Sequence, residues 1–140
     1  MKQFNILIID DDPDDHFFVK SAIREFGSNI SLISVYDGTQ GLNYLGISES
    51  NLIHKKFPDL ILCDINMPFM SGMDFLEAIK SDDHYKNIPV CMFTTSCDDE
   101  TKAKLVALGA LDCVTKPMYA ANYNTILANI FNKLPAFDNL

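Results

Sequence analysis

Five short apolar runs recur along the chain, with helix-patterned segments between them: FNILIID (4–10), ISLISVY (30–36), DLILCD (59–64), PVCMFTT (89–95) and LDCVT (111–115). Runs this short and continuous suit parallel strands covered on both faces; a strand with one wet face would alternate apolar and polar residues. The segment after Pro13 carries Phe18, Val19, Ala22, Ile23 and Phe26 on one helical stripe, and Gly27 ends it in the manner of a C-cap. Further helices are expected over 39–45, 72–81, 99–108 and 120–134. Strict alternation of strand and helix implies right-handed crossovers and an α/β fold, a doubly wound five-stranded parallel sheet. The connection GISESNLIHKKF (46–57) exceeds the usual loop length and should project as a surface insertion.

A net charge of -8 with no basic block argues against a nucleic-acid partner, because nothing replaces the counterions around phosphates. Proteins or cations are the expected partners. The apolar run of MKQFNILIIDDD is too short for a signal peptide and none approaches a membrane span, so a cytoplasmic protein with no membrane partner is expected. The cysteines Cys63, Cys91, Cys97 and Cys113 form no C-x-x-C pair and have no histidine at zinc spacing. Cys63 and Cys91 lie inside apolar runs and read as reduced core thiols, which fits a reducing compartment.

LIIDDDPDD, residues 7–15, crowds five carboxylates behind a strand. At an effective dielectric of about 20, two such charges about 4 Å apart repel by roughly 4 kcal/mol. Open parallel sheets bind ligands beyond the carboxyl ends of their strands. There the first run ends in Asp10 and Asp11, the third in Asp64, the fourth in Thr94 and Thr95, and Lys116 follows the fifth. Clustered hard oxygens call for Mg²⁺, which takes one or two carboxylates, waters and phosphate oxygens. A carboxylate beside that ion, with an ammonium and a hydroxyl nearby, can attack a phosphoryl group to give an aspartyl phosphate. Asp64 is the expected acceptor, because DINMP sets it at a strand end before a Pro-containing loop; Asp10 and Asp11 would hold the metal. Asp12, Pro13, Asp14 and Asp15 read instead as a helix start: an N-cap, proline at the first position, then acids in the positive first turn. His16, His54 and His84 lie in scattered polar contexts and are expected on the surface without a role. For Leu105–Leu108 and for Tyr119 and Tyr123, core packing is the default and a partner surface the alternative.

Taken together, Asp10-Asp11, DLILCDINMPFMSG (59–72), FTTS (93–96) and TKP (115–117) resemble the receiver domain of two-component response regulators, the CheY-like family. The resemblance implies a flavodoxin-like strand order 2-1-3-4-5, with residues 1–134 as the receiver domain, 135–140 as a short tail and no output domain. It implies that Asp64 takes a phosphoryl group from a sensor histidine kinase or phosphotransfer protein, and that the chain then signals by contact with a downstream protein. By the same resemblance Asp11 binds Mg²⁺ directly, Asp10 acts largely through water, and the backbone carbonyl of Asn66 completes the ligands. Lys116 would pair with one phosphoryl oxygen and the Thr94 hydroxyl bond another. Lys116–Pro117 would be cis, and Asn66 and Ser96 would tune dephosphorylation. The long connection before the third run, and EAIKSDDHYKNIPVCMFTTS (77–96), are similar to single-domain regulators that partner phytochrome-type sensor kinases. A homodimer is open on this reading. One departure stands out: Cys113 occupies the place where the family carries an aromatic residue that moves with Thr94, which puts the usual rotamer switch in question.

Two other classes stay open on the sequence. A phosphatase of the haloacid dehalogenase type would use Asp10 as nucleophile, but Pro13-Asp14 replaces the Thr or Val expected after its D-x-D. A pseudo-receiver, binding partners without taking phosphate, is kept open by Cys113.

Overall fold

Alternate residues of the strands enter two different cores, so the sheet has to be covered twice. Leu7, Ile9, Ile61, Cys63, Val90 and Met92 pack into one, and Phe4, Ile6, Ile8, Leu60, Leu62, Cys91 and Phe93 into the other. In the computed structural model, which describes residues 2–135 and 137, the elements run β1 (Phe4–Ile9), α1 (Pro13–Ile23), β2 (Ile30–Val35), α2 (Gly38–Leu45), β3 (Leu60–Cys63), α3 (Gly72–Lys80), β4 (Val90–Thr94), α4 (Asp99–Ala107), β5 (Asp112–Thr115) and α5 (Tyr123–Phe131). All pairings are parallel and the sheet order is β2-β1-β3-β4-β5, the flavodoxin-like order that the resemblance implied. Val19, Ala22 and Ile23 of α1 and Leu127 and Ile130 of α5 close one face. Leu45 of α2, Phe75, Leu76 and Ile79 of α3 and Leu105 of α4 close the other. Each buried aliphatic or aromatic side chain contributes about 1.5–3 kcal/mol through removal from water.

The helices α1 to α4 begin where the sequence provides caps. Asp12, Asp37, Ser71 and Asp98 accept hydrogen bonds from the backbone N–H groups of Asp14, Gln40, Asp74 and Thr101. The stretch 46–57 does lie at the surface, with Leu52, Ile53 and Phe57 exposed, but it is tied down. Lys55 Nζ donates to the carbonyls of Gly46 (3.0 Å) and Ile47 (3.3 Å), beside the ring of Tyr85, whose hydroxyl donates to Leu45. Gly46 is required at its own position: its φ is 76° and a Cβ there would overlap the His54 carbonyl. The strands stop short of the runs read from the sequence, and β1 and β3 release Asp10 and Asp64 at their carboxyl ends.

Candidate functional site

Three backbone hydrogen bonds hold the rim where the strands end. Asp10 N–H donates to Val35 O (3.2 Å), Asp64 N–H to Ile9 O (2.9 Å) and Lys116 N–H to Thr94 O (2.7 Å). Behind Asp64 the chain turns so closely that a Cβ on Gly72 would overlap the Asp64 carbonyl, so glycine is needed for this approach. The rim borders a cleft of ≈ 480 Å³, lined by Asp11, Asp64, Asn66, Thr95 and Lys116 together with the start of α1.

Carboxylate oxygens of Asp10, Asp11 and Asp64 lie within 4.8 Å of one another. Asp10 and Asp64 are buried, Asp11 is exposed, and Asn66 stands exposed at the mouth. Lys116 Nζ reaches Asp10 at 2.7 Å and Asp64 at 3.4 Å. The Thr94 hydroxyl, at the end of β4, lies buried with no hydrogen-bond partner among the described residues. Ser96 is exposed on the loop after β4, outside the residues that line the cleft.

Two residues assigned elsewhere by the sequence belong here. Asp15, read as a helix-start acid, also ion-pairs with Lys116 at 2.7 Å and accepts a hydrogen bond from the Tyr123 hydroxyl at 3.2 Å. Asp11, which precedes the α1 cap, and Asp15, in the first turn of α1, both line the cleft. Tyr123 itself is buried, whereas Tyr119 is exposed. His16 is not a surface side chain: it is buried, with Nε2 at 2.7 Å from the Asp10 carbonyl and its ring beside that of Tyr36.

The electrostatics follow from crowding. Burial pushes Asp10 up to about 7, and the charge of Asp15 adds to this while Lys116 and the Asp12 N–H oppose it. Burial alone would lower Lys116, but its hydrogen bonds to Asp10 and Asp15 and the charges of Asp10 and Asp64 raise it, so the ammonium stays protonated. Three carboxylates, Asp10, Asp15 and Asp64, thus share one ammonium, and Asp11 adds a fourth beside Asp10 and Asp64. An oxygen-rich, over-acidic rim of this kind fits a hard divalent cation, and the carboxylates of Asp10, Asp11 and Asp64 are close enough together to hold it.

The expectation for the Lys116–Pro117 bond is corrected. Among the described residues no peptide bond is cis, so Lys116–Pro117 is trans; the two forms of an X–Pro bond differ by only about 0.5–1 kcal/mol. Cys63 and Cys91 are buried free thiols as expected, and Cys97 and Cys113, for which the sequence suggested no pairing, are joined in a disulfide. The strand register aligns Cys113 with Met92, and the loop after β4 folds back so that Cys97 N–H donates to Thr115 Oγ1.

The geometry agrees with known proteins. The family model for the response regulator receiver domain matches residues 6–128. Chemotaxis protein CheY-3 of Vibrio cholerae is 31% identical over 133 residues, covering 95% of each chain. A hybrid signal transduction histidine kinase D of Dictyostelium discoideum is 30% identical over 112 residues, 80% of this chain but only 6% of that protein. Among solved structures, a phosphorylated cyanobacterial phytochrome response regulator, RcpA, superposes with a TM-score of 0.81 at 27% identity, covering 91% of each chain.

Proposed function

The chain belongs to the response regulator receiver domain family, and from that premise we propose that Asp64 is its phosphoacceptor, served by Asp10, Asp11, Asn66, Thr94 and Lys116. The observation that carries this reading is the meeting of Asp10, Asp11 and Asp64 within 4.8 Å, with Lys116 at 3.4 Å from the acceptor. Mg²⁺ bound to those three carboxylates and the Asn66 carbonyl would supply the positive charge that lets an anionic phosphoryl group approach.

The chain's own groups do the rest. An Asp64 carboxylate oxygen attacks phosphorus, forming the acyl–phosphate bond as the P–N bond to the donor's imidazole breaks. Lys116, protonated and already beside Asp64, pairs with an incoming phosphoryl oxygen and exchanges one carboxylate partner for it. The unpartnered Thr94 hydroxyl donates to a second oxygen, which satisfies an atom left without a bond in the present arrangement. Exposed Asn66 and Ser96 control how water reaches the acyl phosphate. The donor is a sensor histidine kinase, of phytochrome type by the kinship with RcpA, or a phosphotransfer protein; a downstream protein reads the phosphorylated state. No described helix is long and apolar enough to cross a membrane.

Incubation with acetyl phosphate and Mg²⁺ tests the assignment. Label should enter the wild type, disappear with a chelator and be absent from Asp64→Ala. Undiminished labelling of Asp64→Ala would overturn it.

A further inference from the structure

We propose that Cys97 and Cys113 are a thiol–disulfide modification site, and that their bond clamps the loop after β4 onto β5. The bond joins residues 16 apart in sequence, with Cα atoms 6.4 Å apart, ordinary for a disulfide. Its placement gives it a use. Cys97 lies three residues after Thr94 and Cys113 three residues before Lys116. Thr94 pairs with Thr115 in the sheet, and Lys116 N–H donates to the Thr94 carbonyl at 2.7 Å. Sheet pairing and disulfide therefore close a small ring whose irregular side is residues 95–97, the first part of the loop 95–98. That loop carries Thr95, which lines the acidic cleft, and leads to Asp98, the cap of α4. With the ring closed, neither Thr95 nor the start of α4 can move far from β5.

The pair is open to chemistry. Both cysteines border a second cleft of ≈ 620 Å³ between α4, β5 and α5, lined also by Lys102, Asp112, Asn129 and Lys133. Cys97 is half-buried while Cys113 is buried, so Cys97 meets reagents first. Cys63 and Cys91 are enclosed in the cores, where burial holds their thiols in the unreactive protonated form.

The co-reactant is a low-molecular-weight disulfide. The Cys97 thiolate attacks one of its sulfurs and expels one thiolate, leaving a mixed disulfide. The Cys113 thiolate then attacks Cys97 Sγ and expels the second. Two protein thiols are oxidised, one small disulfide is reduced to two thiols, and these take the two protons. Excess small thiol runs the exchange backwards.

The regulatory part of this proposal rests on the receiver reading: the clamp would hold the loop against any movement that a phosphoryl group on Asp64 imposes. The test uses the full chain equilibrated with glutathione disulfide or with excess glutathione. Non-reducing peptide mapping should show peptides 97 and 113 joined in the first and separate in the second. Hydrogen exchange of the amides at 95–98 should be slower in the oxidised form by about tenfold. Acetyl phosphate with Mg²⁺ should alter that exchange only in the reduced form. Cys97→Ser, a change at a half-buried loop position, should exchange rapidly under both conditions. The clamp is overturned if both thiols remain alkylatable in glutathione disulfide, if the loop exchanges equally in the two forms, or if the oxidised loop responds to acetyl phosphate as the reduced one does. Failure of the reduced protein to take label would count against the receiver reading instead, and the comparison of loop exchange would still decide the clamp.

Discussion

Two clusters of opposite charge balance sit on the same sheet. At the carboxyl ends of β1 and β3, Asp10 and Asp64, with Asp15 of α1, share the ammonium of Lys116, and Asp11 adds a fourth carboxylate beside them. At the start of β5, one carboxylate, Asp112, is held by two ammoniums, Lys102 at 3.1 Å and Lys133, and by the N–H of Cys113 at 2.8 Å. The same residue type responds in opposite directions. Burial pushes Asp10 up to about 7, whereas the lysines and the Cys113 N–H outweigh the burial of Asp112 and hold it below the ordinary 3.8. The second cluster is complete as it stands and ties α4 and the turn after α5 to the sheet. The first is deficient in positive charge, which is what a site for a cation and an anionic group requires.

Removing the one cation of the acidic cluster should have the largest effect. Lys116→Ala leaves buried carboxylates uncompensated and should cost about 3 kcal/mol in metal-free buffer. Urea unfolding with chelator present measures it, and a loss no greater than that of a surface lysine would break the contrast. The same variant should take label from acetyl phosphate about a hundredfold more slowly, because one stabilising charge at the transferring group is gone.

Asp112→Asn should come next. It removes charge-assisted bonds to two half-exposed lysines, and after allowance for solvent screening the cost is about 1.5 kcal/mol. Its pH dependence sharpens the comparison. A carboxylate with a depressed folded pKa contributes stability above its unfolded value, and this contribution is lost as pH falls through the folded value. The gap in unfolding free energy between wild type and Asp112→Asn should therefore be full above about pH 4 and shrink below it.

The smallest change should have the opposite sign. Asp10→Asn removes one of four crowded carboxylates and should stabilise the metal-free protein by about 1 kcal/mol while weakening phosphoryl acceptance. Destabilisation on both substitutions would mean that the two clusters do not differ as described.

The strand ends made most of the site legible in advance. Alternating apolar runs imply a parallel sheet, a parallel sheet implies a ligand edge, and Asp10, Asp11, Asp64, Thr94 and Lys116 all follow from being the residues at which the runs stop. Asp15 escaped because one residue serves two purposes: an acid in the first turn of α1 already has a sufficient local explanation, and its bond to Lys116 depends on where β5 ends. His16 escaped for a related reason, since its polar neighbours in sequence give no sign that the ring turns under the Asp10 carbonyl. The Cys97–Cys113 bond depends on strand register and on the path of one loop, neither of which spacing encodes. In sequence Cys113 stands out only against the aromatic of the family pattern and the absent C-x-x-C spacing, neither of which points to Cys97 as its partner.

The central claim is that the acidic edge, and not the Asp112 cluster, is left deficient in charge for a divalent ion. Chemical unfolding with and without Mg²⁺ tests this in wild type, Asp112→Asn and Asp11→Asn. At a concentration about twentyfold above the dissociation constant, binding to the native state should add about 2 kcal/mol. That increment is expected in the wild type and, undiminished, in Asp112→Asn, and should vanish in Asp11→Asn. An increment that survives in Asp11→Asn, or is missing from the wild type, would contradict the account.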